Sequence, residues 1–293
     1  MNRRWRSMCI LILVMSLWGC TFVLTKDVID DVPPLTLAFL RVAIGFFTLL
    51  PFALVRRHKL SQPRPALPWA GMFAMGSIGV AIYYGLFNLG LAYTSASQGA
   101  LVQSSIPAVT ALIAVVWLRE RASRRRVAGI ALSVVGVVII FSGSLDQNVG
   151  GGSPMLGNLL VFASVVAWGL YTSIAKRFAY VDAIVLTAGI IGIGALLLLP
   201  IAVVEMQGHA WPDMTIRQWI EIVVLGAGAS GLAYMLYNLA LQDVDASLAG
   251  VFANLIPVVG VISGIVLLDE PLSTTAIIGG LVVMAGVWLT SSE

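Results

Sequence analysis

Four short helical faces in this chain carry aromatic and polar side chains inside otherwise apolar stretches. Trp18, Thr21 and Thr25 recur at i, i+3 and i+7, which puts them on one side of a helix. Trp168, Tyr171 and Ala175 repeat that spacing 150 residues later. Tyr84, Phe87 and Asn88 share a third face, and Tyr234, Tyr237 and Asn238 a fourth. Gln103 and Asn254 stand just ahead of Pro107 and Pro257. Rings of this kind offer apolar area and edge-to-face stacking, and the amides could bind ammonium or carboxylate groups. Hydrolytic and metal chemistry lack their residues. No GxxxxGK[ST] loop, HExxH or paired cysteines occur, and His58 and His209 fall in polar connecting segments. Cys9 and Cys20 lie 11 residues apart on one apolar stretch, too far to bond along a straight helix. No catalytic residue, metal site or cofactor is expected.

The elements that must position these faces follow from composition. Of 293 residues, 59% are hydrophobic and only 11% charged, with mean hydropathy +0.97. A soluble domain runs about 45–50% apolar and about 25% charged. This chain cannot cover a globule of its size with polar groups, so a multi-span membrane protein is expected. Ten apolar stretches can be read, at about 7–25, 35–55, 69–92, 98–118, 127–143, 157–175, 184–204, 218–241, 246–268 and 275–291. Each approaches the ~20 residues a helix needs to cross a bilayer. The stretch at 127–143 is short and the break at 92–98 is weak, which leaves a nine-span alternative.

Basic residues orient the spans, because short cytoplasmic segments collect Lys and Arg. With the N-terminus inside, 14 of the 17 basic residues fall in inner segments, among them Arg3, Arg4, Arg6 and the Arg119–Arg126 stretch. Outer segments hold only Lys26 and Arg217, and Arg41 lies within the second span near its outer end. Both termini are therefore expected in the cytoplasm. Leu17-Trp18-Gly19-Cys20 imitates a lipoprotein cleavage box, but Trp18 is bulky and the apolar run continues past Cys20, so the segment reads as a retained span.

Shifting the chain against itself by 150 residues exposes a repeat. Trp18-Gly19 meets Trp168-Gly169; Tyr84, Asn88 and Leu91 meet Tyr234, Asn238 and Leu241; Ile106-Pro107 meets Ile256-Pro257. Leu118, Glu120 and Ser123 meet Leu268, Glu270 and Ser273, and Gly129 and Gly136 meet Gly279 and Gly286. Each half, 1–147 and 157–293, carries five spans, and an odd number inverts the second half relative to the first. The fold class expected is all-α, with ten transmembrane helices in two inverted five-helix repeats around a central cavity.

Gly226-Ala227-Gly228-Ala229-Ser230-Gly231 fits the dinucleotide pattern GxGxxG, but it lies inside an apolar helix, where small residues let backbones approach. Packing is the better reading. Matched placement of Pro107 and Pro257 favours kinks that gate or shape the cavity over simple packing bends. Asn88 and Asn238 suit interhelical glue. Trp18, Trp168, Tyr84 and Tyr234 lie away from the interfaces and suit a cavity wall, whereas Trp5, Trp69, Trp211 and Trp219 suit the interfacial belt. No carboxylate stands at the midplane, so coupling through a buried acid lacks support and solutes neutral overall are expected.

Ten spans in two fivefold repeats, the paired Trp-Gly, Leu40-Arg41-Val42-Ala43, Leu118-Arg119-Glu120 and Leu268-Asp269-Glu270-Pro271-Leu272 together resemble the EamA family of the drug/metabolite transporter superfamily. Within it the chain is similar to bacterial amino acid and metabolite exporters, including the YddG-type aromatic amino acid exporters. The resemblance implies a basket-shaped bundle with a cavity lined by spans one, three, four, six, eight and nine. It also implies a multi-pass protein of the bacterial inner membrane that exports small metabolites, foremost aromatic or apolar amino acids, by alternating access. The expected site comprises Trp18, Thr21, Tyr84, Phe87, Gln103, Trp168, Tyr171, Tyr234, Tyr237 and Asn254, with Pro107 and Pro257 as gating or kink positions. Partners would be a small-molecule solute and the lipid bilayer, without nucleic acid, for a chain read as a monomer. Efflux of drugs or cationic compounds, and less so a membrane scaffold, are the alternatives.

Overall fold

The computed structural model describes residues 3–59, 67–117, 119, 123–143, 153–178, 180–207, 211–240 and 252–291, and among these the regular structure is entirely helical. In chain order the elements are α1 (Arg3–Ile29), α2 (Pro34–Lys59), α3 (Trp69–Gly76), a π-helical segment (Ser77–Ile82), α4 (Tyr83–Tyr93), α5 (Ala96–Gln103) and α6 (Ile106–Trp117). There follow α7 (Arg124–Ser142), α8 (Pro154–Ala175), α9 (Ala183–Glu205), α10 (Ile216–Val223) and a second π-helical segment (Val224–Leu232). The last elements are α11 (Ala233–Ala240), α12 (Leu255–Leu268) and α13 (Thr274–Ser291).

Helices dominate because lipid offers the backbone no hydrogen bonds, so each span must satisfy its own. Among the described residues, eight spans are long and apolar enough to cross a membrane, from Trp5–Ile29 through Ile216–Tyr237. Two further apolar helices, Leu255–Leu268 and Thr274–Thr290, are shorter. Of the ten stretches read from the sequence, eight coincide with full-length spans among the described residues, and the last two with these shorter helices. The weak break near residue 95 is a real helix boundary. Thr94 turns to extended backbone, and the Ser95 hydroxyl caps α5 by accepting from the Gln98 N–H. Large apolar side chains such as Leu196, Val116, Val266 and Leu281 stand outward, more than half exposed, as lipid-facing surfaces do. Trp5, Trp69, Trp211 and Trp219 are likewise exposed.

Small residues set how closely the helices approach. On α7 and α13, Gly129 lies against Gly286 and Gly136 against Gly279, and a Cβ on any of the four would come within 2.8 Å of the opposite carbonyl oxygen. Numbers rise along one helix as they fall along the other, so the pair is antiparallel. Gly90 of α4 and Gly157 of α8 meet in the same way. In the GxGxxG segment, a Cβ on Gly226 would strike Ile44 and the Arg41 carbonyl oxygen, and Gly231 sits against Thr48. This stretch packs a π-helical turn onto α2.

Two pairs of local features recur at the 150-residue offset. The π-helical segments overlap under that shift, and among the described residues Arg119 and Asp269 are the non-glycine residues with positive φ, at 55° and 50°. Asp269 lets the chain turn sharply after α12, so that Glu270 points back into the bundle. Its carboxylate accepts from the Ala96 and Ser97 N–H groups at 2.7 and 2.8 Å, satisfying the first turn of α5. Glu120 and the 246–247 pair, the equivalents in the other half, lie outside the described residues, as do Leu118 and His209.

The prolines take a different form from a kink within a continuous helix. Pro107 sits in the first turn of α6, after a two-residue break at Ser104-Ser105 whose hydroxyls return to the Leu101 and Val102 carbonyls. Pro257 stands in the first turn of α12, after a turn at Asn254. A first-turn position needs no N–H, so proline starts the second segment at no hydrogen-bond cost.

Candidate functional site

The aromatic faces meet in the middle of the bundle. The Trp18 ring lies 5.3 Å from Tyr234 and 5.5 Å from Tyr237, and Trp168 lies 5.1 Å from Tyr171 and 6.2 Å from Tyr234, centroid to centroid. Tyr83 joins the groups. Its ring is 5.0 Å from both Tyr84 and Trp168 and stacks parallel to Phe87 at 6.0 Å. Separations of 4.5–7 Å with tilted planes are the favoured geometry of aromatic pairs. One connected array of rings thus spans α1, α4, α8 and α11.

The two π-helical segments help to hold the array. Trp18 donates its indole N–H to the Ala229 carbonyl in the second segment at 3.0 Å. Tyr171 packs closely against Gly79 of the first, where an added Cβ would sit only 2.7 Å from the Tyr171 Cβ. Single π turns inside α-helices gather at functional sites, because their wider turn redirects backbone carbonyls and side chains.

Between the rings lies a narrow pocket walled by Tyr84, Trp168, Tyr171, Ser230 and Tyr234, with aliphatic cover from α2 and α9. It has room for about one water-sized molecule. The Tyr84 hydroxyl is 3.3 Å from the Ser230 hydroxyl, which fixes the ring at the pocket edge.

Of the residues the sequence pointed to, Tyr84, Trp168, Tyr171 and Tyr234 border this pocket, and Trp18 stands behind Tyr234. Tyr237 packs beside Trp18 against Leu11 and Met15. Phe87 is buried in the aliphatic core with Phe22, at 5.4 Å, and Leu91. Thr21 spends its hydroxyl on the Trp18 carbonyl at 2.6 Å. Gln103 reaches the Tyr83 hydroxyl at 3.3 Å and the Ser164 hydroxyl at 3.4 Å, so it braces the ring array from α5. Asn254 is half-buried at the turn before α12, and its side chain does not cap that helix. Asn88 donates to the Pro34 carbonyl at 3.1 Å, joining two helices; the Asn238 side chain lies outside the described residues.

Face counting passed over two residues. Tyr83, the hub of the array, follows directly on a π turn, which shifts the phase of α4 relative to an ideal 3.6-residue count. The adjacent Tyr83-Tyr84 pair was the available signal. Arg41 was placed near the outer boundary. The structure buries it to 2% exposure, with its guanidinium 4.6 Å from the Tyr84 ring centroid and one nitrogen donating to the Thr25 hydroxyl at 3.2 Å. Its Nε has no hydrogen-bond partner among the described residues. The described carboxylates near the ends of these spans are engaged elsewhere. Arg217 holds Asp27 at 3.1 Å and Glu221 at 2.9 Å.

A sequence profile of the EamA-like transporter family fits residues 5–142 and fits again over 155–292. The chain belongs to the EamA-like transporter family. An uncharacterized transporter of Archaeoglobus fulgidus is 28% identical over 281 residues, spanning 96% of each chain. A protein of Escherichia coli K12 named as a probable amino-acid metabolite efflux pump is 27% identical over 293 residues, covering 95% of this chain and 92% of its own. A crystal structure overlays 97% of this chain and 95% of its own with a TM-score of 0.66 at 24% identity, which speaks to the fold. This EamA family member is accordingly a multi-pass membrane protein of a transporter family, and the ring array lies inside its helical bundle.

Proposed function

We propose that this EamA family member is a secondary transporter of the bacterial inner membrane that exports small metabolites, foremost aromatic and other apolar amino acids. The observation that carries the reading is the pocket among Tyr84, Trp168, Tyr171 and Tyr234, drawn from three different spans and backed by Trp18 on a fourth. Rings on several sides suit an apolar side chain through stacking and buried area. Gln103, Asn254 and nearby backbone would bind the ammonium and carboxylate groups. A distant relative named as a probable amino-acid metabolite efflux pump supports the same class of solute.

The mechanism in this reading is alternating access, with two five-helix halves, 1–147 and 157–293, inverted relative to each other and rocking around the pocket. The paired π-helical segments, the paired positive-φ residues and the reciprocal glycine contacts of α7 and α13 all support such a two-fold relation. The helix breaks before Pro107 and Pro257 give each half a place to flex without disrupting a continuous hydrogen-bond ladder. Both termini face the cytoplasm, and the chain works without a cofactor. Uptake by proteoliposomes, screened across the amino acids with and without a pH gradient, tests the proposal. Accumulation of phenylalanine or a similar amino acid is expected, and indifference to all amino acids would refute it.

A further inference from the structure

Arg41 is a permanent cation deep in an apolar bundle. Buried charges are normally paired, because isolation from water is costly. Here the described neighbours are a neutral hydroxyl, Thr25, and the face of a ring, Tyr84. Among the described residues no carboxylate lies within ion-pair distance of Arg41, and its Nε donor is buried and unused. Tyr84 is shared: its ring carries the guanidinium and also walls the pocket. The next residue along α2, Val42, also lines that pocket. A lone, unscreened positive charge beside a solute pocket attracts anions and repels cations.

We infer that Arg41 is the anion-selecting group of this transporter: it takes the carboxylate of the solute at the Tyr84 edge of the pocket and disfavours cationic compounds. The inference rests on the reading of the ring-lined pocket as the solute site. The guanidinium offers a fork of N–H donors that matches a carboxylate, and its unused Nε is one prong. Amino acids would then be recognised through the carboxylate as well as through the ring, and plain aromatic carboxylates would be ligands too. Positively charged amphiphiles, which aromatic rings alone would welcome through cation–π contact, would meet like-charge repulsion.

The test uses the purified full chain and three probes of one shape: 3-phenylpropionate, 3-phenylpropionamide and 3-phenylpropylamine. Equilibrium binding of each is measured on the parent, on Arg41→Gln and Arg41→Lys, and on Trp168→Leu. The parent is expected to prefer the carboxylate over the amide by about tenfold, the scale of one charge-assisted hydrogen bond, and to bind the amine weakest. Arg41→Gln should remove that preference, and Arg41→Lys should keep part of it. An equal carboxylate-to-amide ratio in the parent, or a preference for the amine, would overturn the inference without need of any variant. The same ratio in Arg41→Gln as in the parent would also overturn it. Failure of the pocket reading looks different: Trp168→Leu would then leave binding of all three probes unchanged, whereas a true pocket wall weakens all three together.

Discussion

Gly129 and Gly286 meet backbone to backbone, so that a Cβ on Gly286 would lie 2.6 Å from the Gly129 carbonyl oxygen, and Gly136 and Gly279 repeat the contact one seam further along. No side chain can enter there without pushing α7 and α13 apart. Overpacking of this kind costs about 1–3 kcal/mol or more. Gly129→Val and Gly136→Val should each lower the unfolding temperature in detergent, read by tryptophan fluorescence. Gly85→Ala is the control, because its new Cβ would meet only Leu35 Cδ2 at an ordinary 3.5 Å. Equal behaviour of all three variants would contradict the seam.

Glu270 holds the start of α5 from a distant part of the chain. Both N–H groups it accepts from belong to fully buried residues. Glu270→Ala would strand them at a cost of about 1–3 kcal/mol each, so a marked fall in unfolding temperature is expected. Glu270→Gln keeps one acceptor and should fall between. A parent-like Glu270→Ala would show that water or another group replaces the carboxylate.

Much of this was legible in the residues, and the exceptions have physical causes. The helices follow from apolar runs, because hydropathy reports burial in lipid directly. The glycines of the seam stand out in the 150-residue repeat, which matches Gly129 with Gly279 and Gly136 with Gly286, but the contact is crossed: Gly129 meets Gly286 and Gly136 meets Gly279, as an antiparallel pair of equivalent helices requires. Tyr83 escaped because a π turn arises from tertiary packing and leaves no periodicity of its own. Arg41 escaped because position along a span says how deep a charge lies but not which way it points. The breaks at Ser104-Ser105 and Asn254 escaped because a proline within an apolar run marks a bend or a restart equally well.

The acidic groups make a prediction about energy coupling. Asp27 and Glu221 are tied to Arg217 at one end of the bundle, away from the ring-lined pocket. Intramembrane carboxylates usually mark proton relays, and among the described residues none stands among the rings. Asp27→Asn and Glu221→Gln should therefore retain solute counterflow in liposomes, and counterflow should survive collapse of the proton gradient. Loss of counterflow in either variant with intact protein would make the Arg217 cluster a coupling site.

Orientation is tested by reporter fusions. With 14 of 17 basic residues in the segments assigned inside, a C-terminal fusion should be active for a cytoplasm-dependent reporter and silent for a periplasm-dependent one. The reverse pattern would invert the assignment of every loop.

The central claim is that the ring array binds the transported solute. Trp18, Tyr84, Trp168 and Tyr234 are each replaced by leucine, membrane expression is confirmed, and phenylalanine efflux is measured. Leucine keeps most of the apolar area but removes ring stacking, worth about 0.5–1.5 kcal/mol beyond burial. Each variant should lose about two- to tenfold in apparent affinity, with Trp168 and Tyr234, which wall the pocket and touch each other at 6.2 Å, most affected. If all four variants transport phenylalanine like the parent, the rings are packing alone and the solute binds elsewhere.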